Sequence, residues 1–264
     1  NRRLEAFNLH NLSGTLVSLE QFTEAEAAAI AAIEIYESLR VDLSDSQYIT
    51  LLDTQANSYG LLQEIHIAQN KPIDALLASE RGRAQAFILQ LSQRLNLPMD
   101  ADSTVTQIPD LAEIQQIANE QEMTLVEYSL ISDRLLYIWV VPPTGDIQFR
   151  SVDLELDDLE LDALDSGRVA GSANPLAALE DAAASGEASA VTTLVADLRS
   201  RGIGVVSSSG TNGETLLRSL YDLLIDPIAD LLPADPEDKV VFIPQGSLFL
   251  VPFAALQDAS GQHL

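Results

Sequence analysis

Small and apolar residues recur at helical intervals through the first 95 positions of the chain. Between Gln21 and Arg40 they repeat every three or four residues, which places them on one face of a predicted helix. That face comprises Ala25, Ala28, Ala29, Ala32, Ile33 and Tyr36. Thr23 and Glu26 lie three residues apart, as in a capping box, and predict that Thr23 caps the start of this helix.

Two more helices are predicted, from Ser46 to Gln69 and from Pro72 to Leu95, with Asn70 as the break between them. The segments NLSG (11–14) and FTEA (22–25) resemble NSYG (57–60) and PIDA (72–75), at an offset of 46 to 50 residues. This offset is longer than the roughly 34 residues of a standard tetratricopeptide unit. Stacked helical hairpins and a bundle without repeats both fit the pattern.

The pattern changes after residue 95. Two prolines and a polar run over residues 97–110 predict a linker, which leads through a capping signal into a short helix near 111–119. Residues 124–130, 135–141 and 147–154 are β-prone and separated by short turns, so they predict an antiparallel β meander. The single tryptophan, Trp139, lies in the most apolar of these strands and is expected in the core.

Residues 153–165 are strongly acidic and predict a solvated surface, because they lack the glycine and the final glutamate of a calcium-binding EF-hand loop. A loop rich in alanine, serine and glycine is predicted at 166–190, a helix at 188–200 and a second loop at 201–210. The second loop matches neither a phosphate-binding glycine pattern nor a nucleophilic-serine turn.

The last 51 residues predict a helix from Glu214 to Leu232, in which Pro227 either introduces a kink or starts a second helix. Residues 239–244 (KVVFIP) predict a buried strand of a parallel sheet, 249–251 an extended segment, and Pro252 the start of another helix. Because a buried parallel strand needs a neighbour on each side, we expect this chain to be the front part of a longer protein or a product cut at this point.

The net charge of the chain limits the kinds of molecule that it is expected to bind. The 264 residues include 14 basic and 40 acidic side chains, which give a formal net charge of −26. Such a chain is not expected to bind nucleic acid or an anionic membrane, since phosphate contacts need clustered lysine and arginine. No stretch is long and apolar enough to predict a membrane span, and a cytoplasmic location is expected.

Few residues of the chain suggest a catalytic or ligand-binding role. The chain has no cysteine, which excludes disulfides, thiolate metal sites and a cysteine nucleophile within it. Its three histidines, His10, His66 and His263, are far apart and match no metal-ligand spacing. The sequence therefore predicts no catalytic, cofactor-binding or metal-binding residue, and no cofactor is expected.

Four segments nevertheless resemble one family. ALLASERGRAQAFILQL (75–91) looks like the last repeat helix of proteins with a CHAT domain, and LVEY (125–128) with LLYIWV (135–140) is similar to the strand pair that opens that domain. LYDLLIDP (220–227) and VVFIPQGSLFLVPFAAL (240–256) resemble its later helix and its strand-to-helix segment. Gln245 stands where the family commonly has aspartate, and Phe249 where it commonly has histidine.

This resemblance implies an α + α/β fold: tetratricopeptide-like hairpins at 1–95, a linker and short helix at 96–122, and the front half of a caspase-like domain at 123–264, which opens with the antiparallel β meander. It implies the N-terminal part of a CHAT-type cysteine endopeptidase that lacks the catalytic His–Cys dyad. The expected partners are a protein or peptide bound by the helices, and the missing C-terminal part of the same domain. The alternative is a non-catalytic scaffold that binds proteins through its repeats.

Overall fold

The structure, a computed structural model, describes residues 2–39, 45–95, 110–131, 134–154, 195 and 213–264. Except for Asp110, Asp153, Leu154 and Val195, the predicted linker at 97–110, the acidic segment at 153–165, and the predicted loops and helix between 166 and 210 lie outside these residues. The chain divides into two compact units, Asn1–Ile117 (the helical unit) and Ala118–Leu264 (the sheet unit).

The helical unit contains two helical hairpins, one of the two arrangements that fit the sequence pattern. Its helices are α1 (Arg2–Ser18), α2 (Phe22–Ser38), α3 (Asp45–Ala68) and α4 (Pro72–Leu95), and α5 (Leu111–Glu120) follows. The predicted short helix is confirmed in α5, whose start is a capping box. The Glu113 amide donates to Asp110 Oδ1 at 2.9 Å, and the Asp110 amide donates to Glu113 Oε2 at 3.0 Å.

The turns inside the two hairpins have the same geometry, 50 residues apart. Glu20 and Asn70 adopt left-handed conformations with φ of 58° and 59°. The next amide in each turn bonds back five residues, Gln21 to the Leu16 carbonyl at 2.9 Å and Lys71 to the His66 carbonyl at 2.8 Å. These bonds define a Schellman motif, which satisfies helix-terminal carbonyls and reverses the chain. The predicted break at Asn70 is confirmed.

The predicted cap at Thr23 is wrong. Helix α2 begins at Phe22, its N-cap is Gln21, and no side chain caps it. The left-handed turn at Glu20 already directs the chain into the helix, so the Gln21 carbonyl accepts the Ala25 amide at 3.0 Å, before Thr23 is reached. At the start of α4 the Lys71 carbonyl accepts the Ala75 amide at 3.2 Å in the same way.

The core of the helical unit is built largely from small side chains. Its main cluster consists of Ala25, Ala29, Ile33, Tyr59, Leu62, Ile65 and Ala78. Alanines allow helix axes to approach closely. At this distance the buried Ser13 Oγ on α1 donates to the Ala25 carbonyl on α2 at 2.8 Å. The predicted alanine face of α2 is confirmed as buried.

The sheet unit contains a four-stranded mixed sheet. Its strands are β1 (Met123–Ile131), β2 (Leu135–Val141), β3 (Gln148–Asp153) and β4 (Lys239–Ile243), in the order β3-β2-β1-β4. The first three form the predicted antiparallel meander, and β4 pairs in parallel with β1 from Met123↔Lys239 to Glu127↔Ile243. The expected fold class, helical hairpins followed by an α/β sheet with a meander, is therefore confirmed.

One face of the sheet, here called the helix-side face, packs against helix α6 (Gly213–Leu224). Val126, Tyr128 and Ile138 meet the leucines of this helix in the main core, and Tyr128 donates from its hydroxyl to the Leu224 carbonyl at 2.8 Å. Helix α6 ends at Leu224, and a separate 3₁₀ helix, Asp226–Leu231, begins with Pro227 in its first turn. Of the two predicted roles for Pro227, the second helix start is therefore confirmed.

The opposite face of the sheet is also buried over β1 and β2. Trp139 is fully buried there, as predicted, and contacts the rings of Tyr137 and Phe149 at centroid distances of 6.1 Å and 5.4 Å. Glu127 shares this face and its strand row with Trp139, and it is also buried. Strands β1 and β2 are therefore covered on both faces.

Two expectations after β4 are wrong. The predicted extended segment at 249–251 is mostly a 3₁₀ helix, Gly246–Leu250, and the predicted helix after Pro252 is a single 3₁₀ turn, Phe253–Ala255. Both short helices carry the chain across the core, where Leu248 and Leu256 are fully buried. In the part of the chain that the structure describes, no helix combines the length and apolarity needed to cross a membrane.

Candidate functional site

A polar cluster joins three helices of the helical unit. Arg81 on α4 donates to both carboxylate oxygens of Glu37 on α2, from Nε at 3.0 Å and from Nη2 at 2.7 Å. The Tyr59 hydroxyl on α3 donates to the same carboxylate. A bidentate guanidinium–carboxylate pair is geometrically specific, so this cluster sets how α2, α3 and α4 lie relative to one another.

Gly82 allows this cluster to form. A Cβ atom at Gly82 would lie 3.0 Å from Cγ of Tyr59 and 3.2 Å from its Cβ. Only a residue without a side chain lets the Tyr59 ring pack this closely against α4. The segment ERGRA, which carries the family resemblance, therefore has a packing role at Gly82 and an ion-pairing role at Arg81.

A second polar group lies beside the α3–α4 turn. Lys71 Nζ donates to Glu26 Oε2 at 3.2 Å, and the Nδ1 atom of the buried His66 lies 3.9 Å from Glu26 Oε1. Burial lowers the pKa of the His66 imidazole, although the Glu26 and Asp74 carboxylates oppose that shift. Burial alone would raise the pKa of Glu26, but hydrogen bonds from Gln69 and Lys71 outweigh it and lower that pKa.

The other histidine of the helical unit links its two hairpins. His10 Nδ1 on α1 lies 3.0 Å from Ser58 Oγ on α3, and that hydroxyl also donates to the Thr54 carbonyl at 2.9 Å. Burial lowers the pKa of His10. These contacts are structural, and they bring no acidic side chain to the imidazole.

The helical unit also exposes large apolar side chains. Leu4, Phe7 and Leu12 on α1 are 56%, 48% and 48% exposed, and Phe87 on α4 is 62% exposed. Side chains of this kind are enriched where proteins bind proteins. We refer to Leu4, Phe7 and Leu12 as the α1 surface.

In the sheet unit, β4 is one of the two edge strands that the structure describes, and β3 is the other. Among the described residues it is the last strand on its side of the sheet, since it pairs only with β1. Lys239 is exposed and Val241 is 37% exposed. The predicted parallel pairing of this strand is confirmed, but its predicted burial is wrong, because no described strand covers its outer edge.

Where β4 ends, the side chain of Gln245 replaces the strand as the hydrogen-bond partner of β1. The pairing stops at Glu127↔Ile243, although β1 continues to Ile131. The Leu130 amide instead donates to Gln245 Oε1 at 3.0 Å. A carboxylate could accept the same bond, so the glutamine found where the family commonly has aspartate keeps an acceptor at this point.

The segment after Gln245 presents an aromatic ring to solvent. Gly246 turns the chain with φ of 57°, and Phe249 is 68% exposed on the following 3₁₀ helix. This position, where the family commonly has histidine, carries no titratable group here. The carboxyl ends of parallel strands are a usual place for binding sites in α/β sheets, and Phe249 lies close in sequence to that end of β4.

No catalytic constellation appears among the described residues. His263 bonds to the Gln257 side chain at 3.2 Å near the surface, while His10 and His66 belong to the helical unit. In the described ranges, no group of three histidine, aspartate or glutamate side chains is arranged to hold a metal ion. Sequence reasoning missed the roles of Glu37 and Gln245, because each acts on a residue more than 40 positions away.

Comparisons with known proteins agree with these placements. The family model for the CHAT domain matches residues 214–264, which contain α6, β4 and the short helices after it. The chain is 30% identical over 150 residues to tetratricopeptide repeat protein 28 of Mus musculus and 31% identical to that of Homo sapiens. Each match covers 55% of this chain and 6% of the relative's length. No solved structure matches the chain significantly.

Proposed function

We propose that this chain is the N-terminal part of a CHAT-type cysteine endopeptidase, because its residues 214–264 match the CHAT-domain model and part of it is similar to a tetratricopeptide repeat protein. The observation that carries the proposal is the CHAT match at 214–264, which falls on the parallel strand β4 and its exit turn. In this proposal residues 1–95 are the repeat region, 96–122 the connection, and 123–264 the first part of the peptidase domain.

The reactive groups lie elsewhere in this proposal. A cysteine peptidase needs a thiolate nucleophile and a histidine that accepts its proton. The chain contains no cysteine, and none of its histidines lies in a catalytic arrangement. We therefore assign cleavage to the complete domain, to which this chain contributes the strands β1 and β4, and we expect the chain alone to be inactive.

The helical unit has the role of binding a protein partner. The α1 surface supports this role, because three large apolar side chains of one helix are exposed. The polar cluster of Glu37, Tyr59 and Arg81 would keep the hairpins in a defined geometry for that partner. We also propose that the protein is located in the cytoplasm.

Peptidase activity is tested on the complete natural polypeptide that contains this chain. We expect it to cleave a peptide library in the presence of its activating partner, and iodoacetamide or a Cys→Ser change at the nucleophile to abolish turnover. The isolated chain is the matched negative control. Persistent turnover in the Cys→Ser variant, or no turnover with any partner, would count against the peptidase assignment.

A non-catalytic scaffold is the second candidate, and the exposed apolar side chains of α1 are the observation that favours it. In that case protein binding through the helical unit is the whole function. A Phe7→Asp variant should then lose both partner binding and biological activity, while a Cys→Ser change elsewhere in the polypeptide should leave activity intact. The exposed Phe249 of the sheet unit offers a matched control change to Asp.

A further inference from the structure

We propose that the outer edge of β4 binds an added strand that is apolar on both faces and basic where it passes the loop before β4. This inference rests on the proposed function, because it specifies the kind of segment that completes the CHAT sheet. The occupant is an extended segment of the remaining CHAT domain, recognised by its pattern of apolar and basic residues.

The backbone of β4 provides the first part of the argument. A strand paired on one side presents unpaired amides and carbonyls on the other, and that row is a template for another strand. Among the described residues, β4 has a partner only in β1, from Lys239 to Ile243. The solvent exposure of Val241 agrees with an edge that no described strand covers.

The two faces of β4 determine what the added strand must contain. On the helix-side face, Phe242 stacks on Phe253 at a centroid distance of 4.6 Å, Phe253 also packs against the buried Tyr128, and both phenylalanines remain half-buried. On the opposite face Val241 is 37% exposed. A neighbouring strand would cover both surfaces only if it carried apolar side chains in both directions, as strands inside parallel sheets do.

Charge specifies the flank of the added strand. The loop that leads into β4 exposes Asp235, Glu237 and Asp238, and only Lys239 offsets them. The whole chain carries a net charge of −26. A segment that continues past the start of β4 would meet this acidic loop, so lysine or arginine is favoured there and glutamate is disfavoured.

The probes that test this are three capped peptides, each with a central apolar stretch of five residues. The first has two lysines on each flank, the second has two glutamates on each flank, and the third is the lysine peptide with proline at its centre. Lysines on both flanks make the test independent of strand direction. Proline removes a ladder hydrogen bond and separates strand addition from general attraction to an acidic protein.

We expect the lysine peptide to bind the full chain and to slow hydrogen exchange at residues 239–243. The central proline, or a Val241→Lys change, should weaken binding by about tenfold or more, which corresponds to ~1.4 kcal/mol. Leu19→Lys, a change of an exposed residue of the helical unit outside the α1 surface, should leave binding unchanged. Glu237→Lys with Asp238→Lys should reduce the preference for the lysine peptide over the glutamate peptide by about two- to fivefold, as expected for exposed charge pairs.

Equal binding of the proline peptide would overturn the inference, as would protection located away from β4 or no binding of the lysine peptide. The outcome is separate from that of the peptidase assay. If the peptide binds β4 while the complete polypeptide lacks cysteine-dependent cleavage, the proposed function fails and the strand-addition site remains. If cleavage is found and no peptide adds to β4, only this inference fails.

Discussion

The helical unit and the sheet unit are each stabilised by a different kind of internal packing. In the helical unit, alanines and a glycine bring the helices close, and the Glu37–Arg81 pair sets their geometry. In the sheet unit, leucines of α6 and aromatic side chains of the sheet fill a larger apolar core, with the Tyr128 hydroxyl bonded to Leu224. The helical unit is therefore sensitive to added volume, whereas the sheet unit is sensitive to lost volume.

The largest expected effect is loss of volume in the sheet unit. Leu220 is fully buried in the core beneath the helix-side face. Leu220→Ala should lower the free energy of unfolding of the sheet unit by about 2–5 kcal/mol, since it removes buried methyl groups and leaves a cavity. Fluorescence of the single buried Trp139 reports this unit during urea unfolding. Leu4→Ala, at an exposed site, is the control, and equal losses in both variants would refute the assignment of Leu220 to the core.

Added volume in the helical unit should have the next largest effect. Gly82→Ala should destabilise by about 1–3 kcal/mol, because the Tyr59 ring is buried and its hydroxyl is tied to Glu37, so it cannot move away from the new methyl group. Gly14→Ala is the matched control, since its Cβ would meet nothing within 4 Å. That change should stabilise α1 by about 0.5–1 kcal/mol through helix propensity. Circular dichroism at 222 nm during urea unfolding measures both, and the account fails if the two changes have the same sign.

Removing the Glu37–Arg81 ion pair tests how much this polar contact stabilises the helical unit. Arg81→Met should cost about 1–3 kcal/mol, because it leaves the largely buried Glu37 carboxylate without its guanidinium partner. The double change Glu37→Gln with Arg81→Met should cost less than the sum of the two single changes, since it removes both charges. Additive losses in this double-mutant cycle would mean that the two side chains do not interact.

Changes in the hairpin turns should have a smaller effect, and they should raise the stability of the helical unit rather than lower it. Glu20 holds a left-handed conformation that is costly for a residue with a side chain, so Glu20→Gly should stabilise the helical unit by about 0.5–1 kcal/mol. Asn70→Gly should gain less, because asparagine tolerates this conformation better than glutamate does. A thermal melt of the two variants compares them, and a loss of stability in Glu20→Gly would argue against the turn geometry.

The effect expected to be smallest is a dependence on pH. The pKa of His66 is lowered in the folded chain from its ordinary 6.5, so the unfolded chain takes up the proton first as the pH falls. Stability of the helical unit should therefore decline as the pH drops below 6.5 towards the folded pKa. His66→Gln should flatten this slope, and His263→Gln, at an exposed site, should not. Urea titrations between pH 7.5 and 6, where carboxylates stay ionised, would contradict the account if the two variants behaved alike.

Local patterns predicted most elements because each depends on residues close in sequence. The alanine period of α2, the Asn70 break, the meander and the second start at Pro227 are all of this kind. The start of α2 was mispredicted, because glutamate in a left-handed turn gives no sequence signal and Gln21, not Thr23, became the cap.

The parts of the candidate site that sequence missed depend on tertiary contacts. Gln245 meets the Leu130 amide only after β4 has paired with β1, and Glu37 meets Arg81 only after two hairpins have packed. The exposure of β4 could not be predicted either, because KVVFIP has the composition of a strand that is buried on both faces.

Hydrogen exchange at residues 239–243 tests the central claim, that β4 becomes an interior strand of a completed CHAT sheet. It should be measured in this chain alone and in the complete natural polypeptide, with β1, already paired on both sides, as the internal reference. The β4 amides that point away from β1 should exchange quickly in the isolated chain and become as protected as those of β1 in the complete polypeptide. Equal exchange of β4 in the two samples would contradict it.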